Sequence, residues 1–147
     1  MEKTNELNKF LSYVHMGTSI YRIYYDHVEK MRDKKLKKLI TDILEIFKTH
    51  EENITKLINE ENEEATNSLT ASGIIGVMME KMKIVDNKFA ICTSAIKATN
   101  MGMISALKFL NENKKLSPNI KGMIIIVIDD YERIIKMLKE FIIDEYC

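Results

Sequence analysis

Proline and glycine are scarce in this chain, which contains one proline and five glycines among 147 residues. These two residues punctuate most turns, so their scarcity leaves few places where a helix has to end. The long stretches between them carry apolar residues three or four positions apart rather than in alternation, which is the spacing of amphipathic helices. The sequence therefore predicts an all-α fold made of a few long helices.

The chain also has only two cysteines and no net charge at pH 7. The two cysteines are Cys92, which lies in an apolar helical stripe, and Cys147, which is the last residue. This pattern differs from the disulfide framework of a small secreted domain, and the first residues carry no apolar signal core, so we expect a cytoplasmic protein. Basic and acidic residues balance at 22 each, which gives no overall field that attracts nucleic acid. The longest apolar run, Met123 to Ile128, is too short to cross a bilayer, so we also expect no membrane partner.

Four long helices are predicted within a single domain that covers residues 1–147. Their expected ranges are about 4–31, 34–60, 84–113 and 118–144. Asp33 is an expected N-cap of the second helix, and Ser117 followed by Pro118 is an expected start of the fourth. The third helix has the most regular apolar stripe, formed by Val85, Phe89, Cys92, Ile96, Thr99, Met103, Ala106 and Leu110.

The connections between the helices predict how they are arranged. Short connections make helices one and two, and helices three and four, antiparallel hairpins. Residues 61–83 form a much longer connection, with an acidic stretch and then a glycine-bearing apolar piece. Two hairpins joined by one long middle connection predict a ferritin-like four-helix bundle with a long crossover between helices 2 and 3.

Several segments carry a resemblance to a known family. They are the opening ELNKFL, then IYRIYYDHV, FKTHEENITKLI, GIIGVMMEKM and NMGMISALKFL. With these segments the chain resembles, over nearly its whole length, an uncharacterised ferritin-like family of bacterial proteins, the domain of unknown function numbered 2383. The resemblance implies the ferritin-like fold and a bacterial source, and it implies no established activity.

The usual metal ligands of ferritin-like bundles are mostly absent. A di-iron or di-manganese site needs a Glu on each of two helices and a Glu-x-x-His pair on each of the other two. Arg22 occupies the place in the first helix where an acidic ligand is often found. In the second helix His50 is present, but Phe47 replaces the glutamate three residues before it, and the fourth helix has no histidine. We therefore expect no metal, no cofactor and no catalytic residue.

Six polar residues are expected at mid-height of the bundle, as a core polar layer or as the lining of a pocket. These residues are Tyr21, His50, Thr99, Asn100, Asp130 and Tyr131. We expect His50 to form a hydrogen bond with Tyr131 or Thr99, because buried polar groups need partners. Two alternatives stay open. One is an atypical metal site around His50 and Asp130 with Glu45 or Tyr131, and the other is a cavity beside Tyr21 and Tyr131 that holds a small apolar ligand.

The functional prediction follows from the missing ligands and from the apolar run MIIIVI in the fourth helix. This run is apolar around more than one face, which one bundle of this size cannot cover. We expect a non-catalytic interaction or structural protein, acting as a homodimer or with a protein partner, and linked by analogy alone to stress or sporulation. The alternatives are a metal-binding oxidoreductase or storage relative and a carrier of a small apolar ligand.

Overall fold

The computed structural model describes residues 2–61, 64–67, 73, 76–77, 80 and 87–147. Over these residues the chain forms four α-helices and no strand. The helices are α1 (Glu2–Met31), α2 (Lys34–Glu60), α3 (Lys88–Glu112) and α4 (Pro118–Tyr146). The all-α class predicted from the sequence is confirmed, and α2 has the predicted bounds. The predicted start of the third helix, at 84, falls among residues 81–86, which lie outside the described part of the chain.

Side-chain caps explain where three of the helices begin. Asp33 accepts a hydrogen bond from the backbone N–H of Leu36 at 3.0 Å and caps α2. Ser117 caps α4, with Pro118 at its first position, so both predicted N-caps are confirmed. Asn87 caps α3 in the same way. Each cap satisfies a backbone donor that the first helical turn leaves without an intrahelical acceptor.

The helices pack side by side around one hydrophobic core. Helix α1 packs against α2 and α3, and α4 packs against the same two helices. The rings of Phe10 on α1 and Phe109 on α3 lie 5.3 Å apart. Nearer the other end of α1, the Tyr21 hydroxyl lies 3.3 Å from the Ala95 carbonyl oxygen of α3. Because the contacts on α3 move towards its start as those on α1 move towards its end, these two helices are antiparallel.

Phe89, a residue of the regular apolar stripe predicted for the third helix, lies outside the core. This residue is 49% exposed, and its ring meets the edge of the Tyr146 ring at 5.8 Å instead of entering the core. Phe89 stands in the first turn of α3, where the side chain packs on the last turn of α4. The residues of α3 that are buried are Ile91, Cys92, Ala95, Thr99, Ala106 and Phe109.

Candidate functional site: a layer of paired polar side chains

Tyr21 and Thr99 form a buried hydrogen-bonded pair between α1 and α3. The Thr99 hydroxyl donates to the Ala95 carbonyl oxygen at 2.7 Å, as serine and threonine often do within helices. It can then accept the proton of the Tyr21 hydroxyl, whose oxygen lies 2.5 Å from the Thr99 oxygen. Burial raises the pKa of Tyr21 above its ordinary value. Both residues therefore stay neutral and join two helices.

His50 and Asp130 form a second pair, between α2 and α4. The Nε2 atom of His50 lies 2.7 Å from Oδ2 of Asp130, and Arg133 donates to the other carboxylate oxygen at 3.3 Å. We expected Tyr131 or Thr99 as the partner of His50, and this expectation was wrong. Tyr131 instead meets the His50 ring edge-on, with ring centroids 5.7 Å apart. A carboxylate is the stronger acceptor for an imidazole N–H, and Asp130 comes within reach because it faces α2.

Burial favours the neutral form of His50. The residue is 1% exposed, and desolvation lowers its pKa below the ordinary value despite the opposing effect of Asp130. A neutral imidazole carries one N–H, which donates from Nε2 to Asp130. The Nδ1 atom is also buried, and it has no hydrogen-bond partner among the described residues. His50 therefore acts as a single donor that connects α2 to α4.

Two residues from the sequence-based proposals lie on the surface. Asn100 is exposed, so its predicted place in the core polar layer was wrong. It follows Thr99 directly, and successive residues of a helix point about 100° apart. Glu45 is also exposed and faces Lys48 at 3.7 Å, away from His50. The layer that remains consists of Tyr21, His50, Thr99, Asp130 and Tyr131.

Sequence reasoning missed a third cluster, on the other side of α2. His15 on α1 contacts the carboxylate of Glu51 through Nδ1, and Thr18 donates to the second oxygen of that carboxylate at 2.8 Å. The Nε2 atom of His15 lies 2.8 Å from the backbone carbonyl oxygen of Thr66. One signal was present, because His15 and Thr18 are one turn apart and Glu51 is adjacent to the core residue His50. It was weak, since Glu51 lies in a helix with many lysine and acidic residues, most of them exposed.

These clusters contain few groups that could act together on a ligand. Within the described part of the chain, no three His, Cys, Asp or Glu side chains are placed to hold a metal ion. Two of the surface depressions on the described residues bear on the predicted cavity beside Tyr21 and Tyr131. One, of about 460 Å³, is lined by polar and charged side chains of α2 between Glu52 and Glu60. The other, of about 260 Å³, lies where α3 turns into α4, and neither is lined by Tyr21 or Tyr131.

Two further findings bear on the class of protein. No helix in the described ranges has a stretch long and apolar enough to cross a membrane. A comparison of the chain with family models, characterised proteins and solved structures found no match in any of the three. The resemblance to the ferritin-like family of unknown function therefore stays a prediction from the sequence.

Proposed function

We propose that this chain is a non-catalytic, ferritin-like helical bundle that acts in the bacterial cytoplasm as an interaction or structural protein, as a homodimer. The observation that carries the proposal is a set of large apolar side chains on the outer surfaces of α3 and α4. They are Met101, Ile104, Leu107, Ile125 and Ile126, all more than 40% exposed. Single exposed apolar residues are ordinary, but several on one helix surface are typical of an interaction site.

The three exposed apolar residues on α3 lie in one row along the helix. Met101, Ile104 and Leu107 are three positions apart, so they follow one ridge of the helix surface. On α4, Ile125 and Ile126 lie in the apolar run that the sequence singled out. A two-fold symmetric dimer needs only one such surface, because each copy buries the same patch against the other. A second copy of this chain is therefore the simplest occupant.

Contacts along α1 support the ferritin-like crossover that belongs to the same proposal. Near the start of α1, Asn8 donates to the backbone carbonyl oxygen of Glu64 at 3.1 Å. Further along, the Tyr24 hydroxyl donates to Glu80 at 2.7 Å. Beyond the end of α1, Lys88 at the start of α3 contacts Asp33 at 2.9 Å. The connection between α2 and α3 thus touches α1 at successive levels, as a crossover along the bundle would.

The homodimer can be tested by sedimentation analysis of the purified full-length chain. We expect a species of twice the 17.1 kDa chain mass. The double variant Leu107→Lys, Ile126→Lys should sediment as a monomer, because two buried charges at the interface are costly. Asn111→Lys with Glu132→Lys is the matched control, since both positions are exposed and polar on the same helices.

Two results would contradict the proposal. One is a wild-type chain that stays monomeric over the whole concentration range, and the other is a control pair that disrupts the dimer as strongly as the apolar pair. Circular dichroism of each variant shows whether its helices are intact, so that a loss of folding is not taken for a loss of association. A monomeric wild type would leave a protein partner as the occupant of this surface.

A further inference from the structure

Residues 64–66 of the connection are held against α1 through their backbone. The side-chain amide of Asn8 donates to the carbonyl oxygen of Glu64 at 3.1 Å and accepts from the N–H of Thr66 at 2.9 Å. Two turns further along α1, Nε2 of His15 lies 2.8 Å from the carbonyl oxygen of Thr66. Asn8 and His15 are seven residues apart, so they share one face of the helix.

The contact between His15 and Thr66 depends on how many protons the imidazole ring carries. Both ring nitrogens face oxygen acceptors, namely the Glu51 carboxylate at Nδ1 and the Thr66 carbonyl at Nε2. A neutral imidazole has one N–H and can serve only one acceptor, whereas the imidazolium ion serves both. In the neutral ring, a lone pair would face either the carbonyl oxygen or the carboxylate. The arrangement is therefore complete only for the charged form.

The charged and titratable groups around His15 favour that form on balance. On α2, Glu51 is the main cause of a pKa of His15 above its ordinary value. Burial raises the pKa of Glu51, but the hydrogen bonds from His15 and Thr18 and the charges of His15 and Arg22 together outweigh burial, so the pKa of Glu51 is lowered. On α1, the charge of Arg22 works against protonation of His15. On α4, burial, the charge of Asp130 and then the charge of Glu51 raise the pKa of Tyr131.

We propose that His15 is a proton-controlled clasp, in which the imidazolium ring holds the Thr66 carbonyl oxygen on α1. Loss of one proton releases that oxygen, because the remaining N–H donates to the stronger acceptor, the Glu51 carboxylate. The hydrogen bonds of Asn8 with Glu64 and Thr66 involve no titrating group, so the contact that depends on pH is the one at the Thr66 carbonyl oxygen. A His pKa that is raised by folding means a clasp that is closed below about pH 6.5, the ordinary value, and opens as the pH rises through the raised value. This device stands apart from the proposed dimer, because it involves no residue of the α3 and α4 surface.

Two NMR measurements on the full-length chain test the clasp. The first is a pH titration of the His15 ring carbon signal. The second is the protection of the Thr66 amide from hydrogen exchange, corrected at each pH for the intrinsic exchange rate. The Thr66 amide donates to Asn8, so its protection reports how firmly the segment is held on α1. We expect this protection to fall roughly three- to tenfold as His15 loses its proton and the hydrogen bond to the Thr66 carbonyl oxygen is lost. The matched control is the Ala90 amide, which also donates to an asparagine side chain, that of Asn87, at 3.0 Å. This hydrogen bond involves no histidine.

The Glu51→Gln variant sharpens the test. Without the carboxylate charge, His15 should lose its proton at lower pH, and the fall in Thr66 protection should move with it. The proposal is overturned if Thr66 protection does not change across the His15 titration, or if it changes equally at Ala90. It is also overturned if wild-type His15 titrates at or below its ordinary pKa, a result that needs no variant to fold.

Discussion

The histidines His15 and His50 differ mainly in the hydrogen-bond acceptors around their rings. His15 and His50 each contact a carboxylate, yet their pKa values move in opposite directions. His15 has an oxygen at both ring nitrogens, which favours the charged ring. Among the described residues, His50 has an acceptor at Nε2 and none at Nδ1, and it is more deeply buried, which favours the neutral ring. Identical residue types therefore receive different roles from their surroundings.

At the residue scale, we expect the purified chain to carry no stoichiometric metal. His50 and Asp130 offer two potential metal ligands, whereas a bound transition metal usually needs three or four protein ligands. Arg133 also places a positive charge on the Asp130 carboxylate at 3.3 Å. Elemental analysis of protein purified without chelator measures this, with His50→Ala as the control. Near-stoichiometric metal in the wild type that is lost in His50→Ala would favour the oxidoreductase or storage alternative.

At the scale of the helices, close approach between α1 and α2 depends on a small residue. A Cβ atom on Gly17 would lie 2.6 Å from Cε1 of Phe47. The Phe47 ring cannot easily move away, because it packs against the rings of Tyr21 at 4.9 Å and Tyr131 at 5.6 Å. By contrast, a Cβ atom on Gly122 of α4 would meet nothing within 4 Å. The two glycines therefore have different reasons to be present.

Substitution of these two glycines by alanine should have opposite effects. Alanine favours a helix over glycine by about 1 kcal/mol, so Gly122→Ala should raise the free energy of unfolding by up to that amount. Gly17→Ala has the same helical gain, but overpacking against Phe47 should cost more, and we expect a net loss of roughly 1 to 2 kcal/mol. Urea unfolding followed by circular dichroism measures both. A stabilised Gly17→Ala protein would show that the helices do not approach as closely as described.

At the scale of the whole molecule, the buried histidines should make stability depend on pH. The pKa of His50 is lowered by folding, so the unfolded chain binds a proton more readily than the folded chain does. The contribution of His50 is therefore complete above its ordinary pKa of about 6.5 and is lost as the pH falls below it. The contribution of His15 has the opposite sign and is lost as the pH rises.

Comparison of the wild type with His50→Gln separates these two effects. A glutamine amide can still donate to Asp130 but does not titrate. We expect the wild type to lose more unfolding free energy than His50→Gln when the pH is lowered from about 7.5 to about 5.5, on either side of the ordinary histidine pKa. Urea unfolding at both pH values gives the difference. Equal losses in the two proteins would show that His50 is already protonated in the folded chain or does not differ from a solvated histidine.

Much of the fold could be predicted from local sequence. The caps at Asp33 and Ser117 were predicted and confirmed, because each depends on residues within one turn of one another. The apolar run of α4 likewise indicated where side chains would be exposed, and Ile125 and Ile126 are exposed there. The clusters of the interior were less predictable, because each joins residues that are far apart in the chain.

The sequence by itself determined the helical class, two helix starts and the scarcity of metal ligands, since these follow from residue types and short spacings. Only the tertiary structure decided which polar side chains pair with one another in the interior. His50 is paired with Asp130 across 80 positions of sequence, and His15 with Glu51 across 36. Which of several nearby polar groups a buried side chain meets depends on the rotation and height of two packed helices. A change of one residue in register is enough to exchange Tyr131 for Asp130, and helical periodicity alone does not resolve that difference.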